Sequence, residues 1–150
     1  MSNQSGIPQS IFQQAFFLDT GAFKAIYDKR DQYHKKAILF RDQLKTFAYP
    51  LYTSNLTIAE TYRLLLHEPR LGTIVSLNFL DDIYGASFNI IRPKLTDDMV
   101  AKNMLHKYKY QVNDLTYTDA INMSVMMRIG LKNVFAFDWH FGLLGFQVLP

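Results

Sequence analysis

The most constraining stretch of the chain is Ala15-Phe16-Phe17-Leu18-Asp19-Thr20-Gly21, an apolar run cut off by a carboxylate, a hydroxyl and a glycine. Four apolar residues are too few for a helix of their own and read as a buried strand. Helical spacing begins at once, through Gly21-Ala22-Phe23-Lys24-Ala25-Ile26-Tyr27. Asp19 therefore falls where a strand leaves its sheet, and in open α/β sheets ligands bind beyond the carboxyl ends of the strands. A strand apolar on both faces also demands cover on both sides, which the rest of the chain must supply.

Downstream, the pattern alternates. Asp31 to Phe47 carries Tyr33, Ala37, Leu39-Phe40 and Leu44 at helical spacing, with Asp31 placed to cap it. Pro50 to Ser54 reads as a second strand, and a helix opens at Asn55 or Thr57 and runs to Glu68, before Pro69. Arg70 to Tyr84 is a helix apolar on most sides, which predicts burial or a partner. Ala86 to Arg92 is a third strand closed by Pro93, and Thr96-Asp97-Asp98 caps the helix that follows. Thr116 to Asp119 has the spacing of a capping box, opening a helix that stops at Gly130. Asn133 to Phe137 is a fourth strand ending at Asp138, and a helical turn followed by Phe146 to Leu149 closes the domain. Strands alternating with helices predict an α/β domain, a mostly parallel sheet covered on both faces. The domain spans residues 15–150, behind a flexible N-terminal tail at 1–14.

Composition narrows the function. At 150 residues, 49% hydrophobic and 19% charged, the chain is one globular domain able to bury a real core. It has no cysteine, which excludes disulfides, thiolate metal sites and cysteine nucleophiles. No apolar run has the length of a membrane span, and Met1 to Ser10 lacks the pattern of a secretion signal, so a cytoplasmic protein is expected. Sixteen basic residues against thirteen acidic suit a polyanionic partner. Twelve Phe and nine Tyr suit a large core together with an oligomer face.

Asp19 has counterparts. Glu60 lies near the start of the helix after the second strand, Asp119 in the first turn of the helix leading to the fourth, and Asp138 just after the fourth. In a parallel sheet these positions share one rim. Carboxylates gathered there repel unless cations neutralise them, and hard oxygen ligands in that number favour Mg²⁺ or Mn²⁺ over zinc. Each acid also has a plainer explanation, as a helix-terminal or turn residue. A divalent site of this kind suits phosphodiester hydrolysis.

The ordered set of motifs resembles the PIN-domain ribonucleases, and within them the VapC-like toxins of toxin–antitoxin pairs. Leu18-Asp19-Thr20 is similar to the family's opening motif and Thr57-Ile58-Ala59-Glu60 to its second. Asn113-Asp114-Leu115-Thr116-Tyr117-Thr118-Asp119-Ala120 is similar to the third, and Phe137-Asp138-Trp139-His140-Phe141 to the last. The resemblance implies a three-layer α/β/α domain with sheet order 3-2-1-4-5. It implies a Mg²⁺- or Mn²⁺-dependent endoribonuclease with Asp19, Glu60, Asp119 and Asp138 as metal ligands, supported by Thr20, Asp114 and Thr116. It further implies a small antitoxin partner, with a homodimer expected. Gly21 departs from the residues usual at its position, and the polar tail is longer than usual; neither touches the acids.

Phosphates around an acidic pocket need positive charge, for which Lys24, Arg63, Arg92 and Lys94 are candidates. His140 could contact a phosphate or simply pack at the surface. His106 to Tyr110 is better explained by lysines at a helix C-terminus. His34, His67, His106 and His140 show no zinc-ligand spacing. Rival readings are weaker. Asp19-Thr20-Gly21-Ala22 also spells an aspartic-protease motif, but those sites need a β-rich chain, and helical periodicity follows here. An aspartyl phosphotransferase would want a second acid at Gly21, and a serine hydrolase a Gly-x-Ser-x-Gly elbow. A PIN-like domain that binds RNA or protein without cutting is the non-enzymatic alternative.

Overall fold

The computed structural model describes residues 15–86 and 88–150; the expected tail, Met1 to Gln14, lies outside them, as does Ser87. Strand β1 (Phe16–Leu18) is fully buried and sits at the centre of the sheet. It is followed by α1 (Thr20–Tyr27), α2 (His34–Thr46), β2 (Leu51–Ser54), α3 (Asn55–His67) and α4 (Gly72–Gly85). Then come β3 (Phe88–Ile91), α5 (Leu95–Tyr108), α6 (Tyr117–Ile129), β4 (Asn133–Phe135), α7 (His140–Leu143) and β5 (Gln147–Leu149). The sheet is parallel throughout, in the order β3-β2-β1-β4-β5, with Phe17 opposite Tyr52 on one side and Val134 on the other. The expected α/β/α architecture and strand order are those observed.

Alternation along β1 divides the core into two layers. Phe16 and Leu18 enter one cluster with Phe23, Phe40, Phe79 and Phe135, beneath α1 to α4. Phe17 enters the other, with Met104, Met123, Met126 and Val134, beneath α5 and α6. Edge-to-face ring pairs knit the first layer, Phe40 against Phe135 at 4.9 Å and Phe23 against Phe79 at 5.2 Å between centroids. Helix α6 is the most enclosed, buried continuously from Ala120 to Met126, and it stops where Gly130 takes a left-handed φ of 79°. Arg128 near its end clamps the buried Asp97 of α5 at 2.9 and 3.0 Å, pinning the two helices in register.

One cap differs from expectation, and two others are made more specific. Helix α2 begins at His34, and Asp31 instead closes the preceding turn, accepting from the Tyr33 N–H at 2.8 Å and pairing with Lys24 at 3.3 Å. Helix α3 opens at Asn55, capped by Ser54, whose hydroxyl accepts from the Thr57 N–H at 3.1 Å. Helix α5 starts at Leu95, so Asp97 rather than Thr96 serves its first turn, taking the Lys94 N–H at 2.7 Å. The third and fourth strands are shorter than their apolar runs. The apolar helix α4 buries Ser76, Phe79 and Ile83 but leaves Ile74, Leu77 and Tyr84 exposed, so part of its apolar surface faces outward. Among the described residues no helix is long and apolar enough to cross a membrane.

Candidate acidic site

Because every strand runs the same way, all carboxyl ends open onto one rim, and the loops and helix starts there carry the chemistry. Asp19 leaves β1 as the residue before α1, its own N–H donating to the Phe135 carbonyl of β4 at 3.1 Å. No side-chain cap bond ties its carboxylate to α1, although the Thr20 backbone N–H at the start of that helix stabilises its charge. Glu60 faces it from α3, joined by the Thr20 hydroxyl, which donates to Glu60 Oε2 at 3.0 Å. Asp119 lies at the third position of α6 in a reciprocal box: Thr116 Oγ1 accepts its N–H at 3.1 Å while its Oδ2 accepts the Thr116 N–H at 3.4 Å. Asp138 follows β4, half-buried.

Asp19 and Asp119 both lie in an acidic environment. Burial pushes the Asp19 carboxyl up to about 7, and the Asp119 charge adds to it; the Thr20 backbone N–H pulls the other way, and Glu60 and Asp138 push it up further. Asp119 is raised as well, by burial and then by Asp138 and Glu60, against the pull of its Thr116 hydrogen bonds. Asp19 and Asp119 thus each feel the charges of Glu60 and Asp138. The donors are carboxylate oxygens, the chemistry of a hard divalent cation.

His140 is buried rather than at the surface. Its Nε2 lies 2.8 Å from Asp114 Oδ1 and its Nδ1 2.8 Å from Asp138 Oδ1, so both nitrogens are engaged. Burial lowers its pKa, but the bonds and charges of Asp114 and Asp138 outweigh that and raise it. Ligand atoms of Asp119, Asp138 and His140 lie within 4.8 Å of one another. Of the candidate cations, Lys24 is drawn to Asp31. Arg63 is exposed on α3, and Arg92 and Lys94 are exposed just past β3, on the same rim as the acids.

A buried polar knot underlies the site and was not foreseen. Ser54 donates to Asn122 Oδ1 at 2.7 Å, Asn122 Nδ2 donates to Thr57 Oγ1 at 2.8 Å, and Ser54 lies 3.1 Å from Thr57 Oγ1. Thr57 is one turn before Glu60 and Asn122 one turn after Asp119, so the knot locks the two helices that carry these acids. The legible signal was polar residues standing one helical turn from an acid inside otherwise apolar stretches. Asn122→Ala leaves two buried hydroxyls short of a partner and is expected to cost about 3 kcal/mol, at roughly 1–3 kcal/mol per orphaned group. Urea unfolding measures it; a loss under about 1 kcal/mol would remove the knot from the account.

Comparison with known proteins identifies the fold. The model of the PIN domain family matches residues 16–147. A crystal structure of VapC20 from Mycobacterium tuberculosis, a Sarcin-Ricin loop cleaving toxin, is similar at TM-score 0.74 and 22% identity, covering 88% of this chain and 96% of that one. FitAcB from Neisseria gonorrhoeae is similar at TM-score 0.66 and 13% identity, covering 90% and 96%. VapBC2 from Rickettsia felis, bound to a DNA fragment from its promoter, is similar at TM-score 0.67 and 12% identity, covering 91% and 98%. No curated protein matches the chain.

Proposed function

The chain belongs to the PIN-domain family, and from that membership we propose that it is a Mg²⁺- or Mn²⁺-dependent endoribonuclease, the toxin of a toxin–antitoxin pair. The observation that supports the reading is the buried carboxyl of Asp19 among acidic neighbours: burial first, then the charges of Asp119, Glu60 and Asp138, push it up to about 7. So costly a concentration of carboxylates is understandable if cations relieve it. Asp19, Glu60, Asp119 and Asp138 would hold the ion, and an all-oxygen set suits Mg²⁺ or Mn²⁺. When bound, such an ion supplies an activated water and neutralises charge on a phosphate.

The chain's own residues set the stage. The Thr20 hydroxyl orients Glu60, and the Thr116 box fixes the backbone at Asp119. The Ser54–Thr57–Asn122 knot keeps α3 and α6 from drifting apart. Arg92 and Lys94, exposed on the same rim, draw the RNA backbone towards the acids. Arg63, one turn past Glu60, adds to that field or steadies the acids when no ion is present.

A partner could sit on the face of the sheet covered by α1, α2 and α4. A cavity of about 430 Å³ opens there, lined by Phe23, Tyr27, Leu44 and Phe88 with Arg41 and Asp82 at its polar parts. With the exposed residues of α4 it offers an apolar seat for an antitoxin segment or a second copy of the chain. The similar structures include VapBC and FitAB assemblies, which supports the first. An RNA substrate and a small antitoxin both imply a cytoplasmic setting.

The test is cleavage of RNA by the purified chain in Mg²⁺ or Mn²⁺. Activity that disappears with EDTA and with Asp119→Asn is expected. Activity surviving chelation rejects the mechanism, and RNA binding without any cleavage in either metal favours the silent binding domain.

A further inference from the structure

Among the described residues His140 is the one buried histidine, and it is wedged between two carboxylates from different parts of the chain. Asp114 comes from the loop before α6, Asp138 from the end of β4. Asp138 receives three contacts from this single residue: Nδ1 at 2.8 Å to Oδ1, Nδ1 at 3.0 Å to Oδ2, and the His140 backbone N–H at 3.0 Å to Oδ1. On the far side Nε2 meets Asp114 Oδ1 at 2.8 Å. Each ring nitrogen thus faces a carboxylate oxygen, so both edges of the imidazole are occupied by side chains of this chain.

We infer that His140 is a positioning residue that fixes the Asp138 carboxylate, and that Asp114 acts on the acidic site only by holding His140. The inference extends the metal-dependent reading above and rests on it. A carboxylate on a short loop past a strand end would otherwise sample several rotamers, and its affinity for an ion would carry that entropy. Gripped on one edge by His140, Asp138 keeps its remaining lone pairs for the side shared with Asp119. Asp114, whose carboxylate is 65% exposed, has its recorded contact with the site through the imidazole alone. Partners that orient a metal's ligands characteristically change affinity by about 10–100-fold when removed. The rival arrangement makes His140 itself a ligand beside Asp119 and Asp138, a grouping their mutual distances allow.

The experiment is Mn²⁺ titration by calorimetry on the wild-type chain, Asp114→Ala, His140→Asn and the double variant, with electron spin resonance of the bound Mn²⁺. Asp114→Ala alters an exposed side chain and keeps the fold, and His140→Asn retains a donor near the Nδ1 position. The expected result is about tenfold weaker Mn²⁺ binding for Asp114→Ala, a comparable or larger loss for His140→Asn, and a double variant no weaker than His140→Asn alone. The bound ion shows no nitrogen coupling from a ligated imidazole. In the metal-free protein, the Nε2–H of His140 is slow to exchange by NMR and becomes fast in Asp114→Ala. Wild-type affinity in Asp114→Ala, losses that multiply in the double variant, or a nitrogen-coupled Mn²⁺ signal would each overturn the inference while leaving the nuclease reading in place. A wild-type chain that binds no Mn²⁺ overturns both.

Discussion

Asp19→Asn is expected to raise the thermal midpoint of the metal-free protein at pH 8 by several degrees while lowering RNA cleavage more than about a hundredfold, beyond what losing a ligand's supporting partner costs. The two effects share one cause. Asp19 is 6% exposed, and the burial and neighbouring acids that push its pKa to about 7 act against its charged form. A rise of about three pKa units corresponds to something on the order of 4 kcal/mol lost from folding stability once the group is ionised. The stabilising contribution of the protonated carboxyl is fully present below about pH 3.8 and is lost as pH rises through about 7. Asn has nearly the same shape and no charge, so the variant escapes that loss. The difference between wild type and Asp19→Asn should vanish near pH 4 and be largest above pH 7. Scanning calorimetry across pH 4 to 8.5 checks this; a variant no more stable than wild type at pH 8 would mean that Asp19 carries no such electrostatic load.

The second large effect concerns the ion. Below about pH 7 a cation must displace the Asp19 proton, so apparent Mn²⁺ affinity should rise by up to about tenfold per pH unit between pH 5 and 7 and level off above. Asp119, also raised, steepens the slope in the same direction. At a free Mn²⁺ concentration near 100 times the dissociation constant, binding stabilises the fold by about 2.7 kcal/mol, and the shift in midpoint should be larger at pH 8 than at pH 5.5. Calorimetric titration at pH 6 in two buffers of different ionisation enthalpy reads the released protons directly. At least part of one proton per ion is expected; none released at pH 6, with binding intact, would place the ion away from Asp19.

Much of this was readable before any coordinates. The alternation of short apolar runs with helical stretches carries the parallel, two-sided sheet because parallel strands need crossovers and a fully apolar strand such as Phe16 to Leu18 needs cover on both faces; the strand order came from the family resemblance. Asp19, Asp119 and Asp138 were legible because each stands where a strand ends or a helix begins; Glu60 lies in the second turn of α3, further in than expected. What escaped was the chemistry that depends on distance across the chain. Asn122 sits in an apolar stretch of α6, and only the packing of α6 on α3 brings it to Ser54 and Thr57, 68 and 65 residues away. His140 carries no sequence sign of Asp114, 26 residues earlier, whose loop folds back over it. The misplaced cap at Asp31 has a local cause: its carboxylate takes the Tyr33 N–H inside the turn before α2. Helix α4 was expected to be buried or paired; a face centred on Phe79 enters the core, while Ile74 is 75% exposed and lies on the side left for a partner.

The most direct test is to soak Mn²⁺ into crystals of the protein above pH 7 and compute an anomalous difference map. An anomalous peak in contact with Asp19 and Asp119, bordered by Glu60 and Asp138, is the predicted result. A map with no peak at that rim, or with its strongest peak on other residues, would contradict the claim that these distant carboxylates form one cation site.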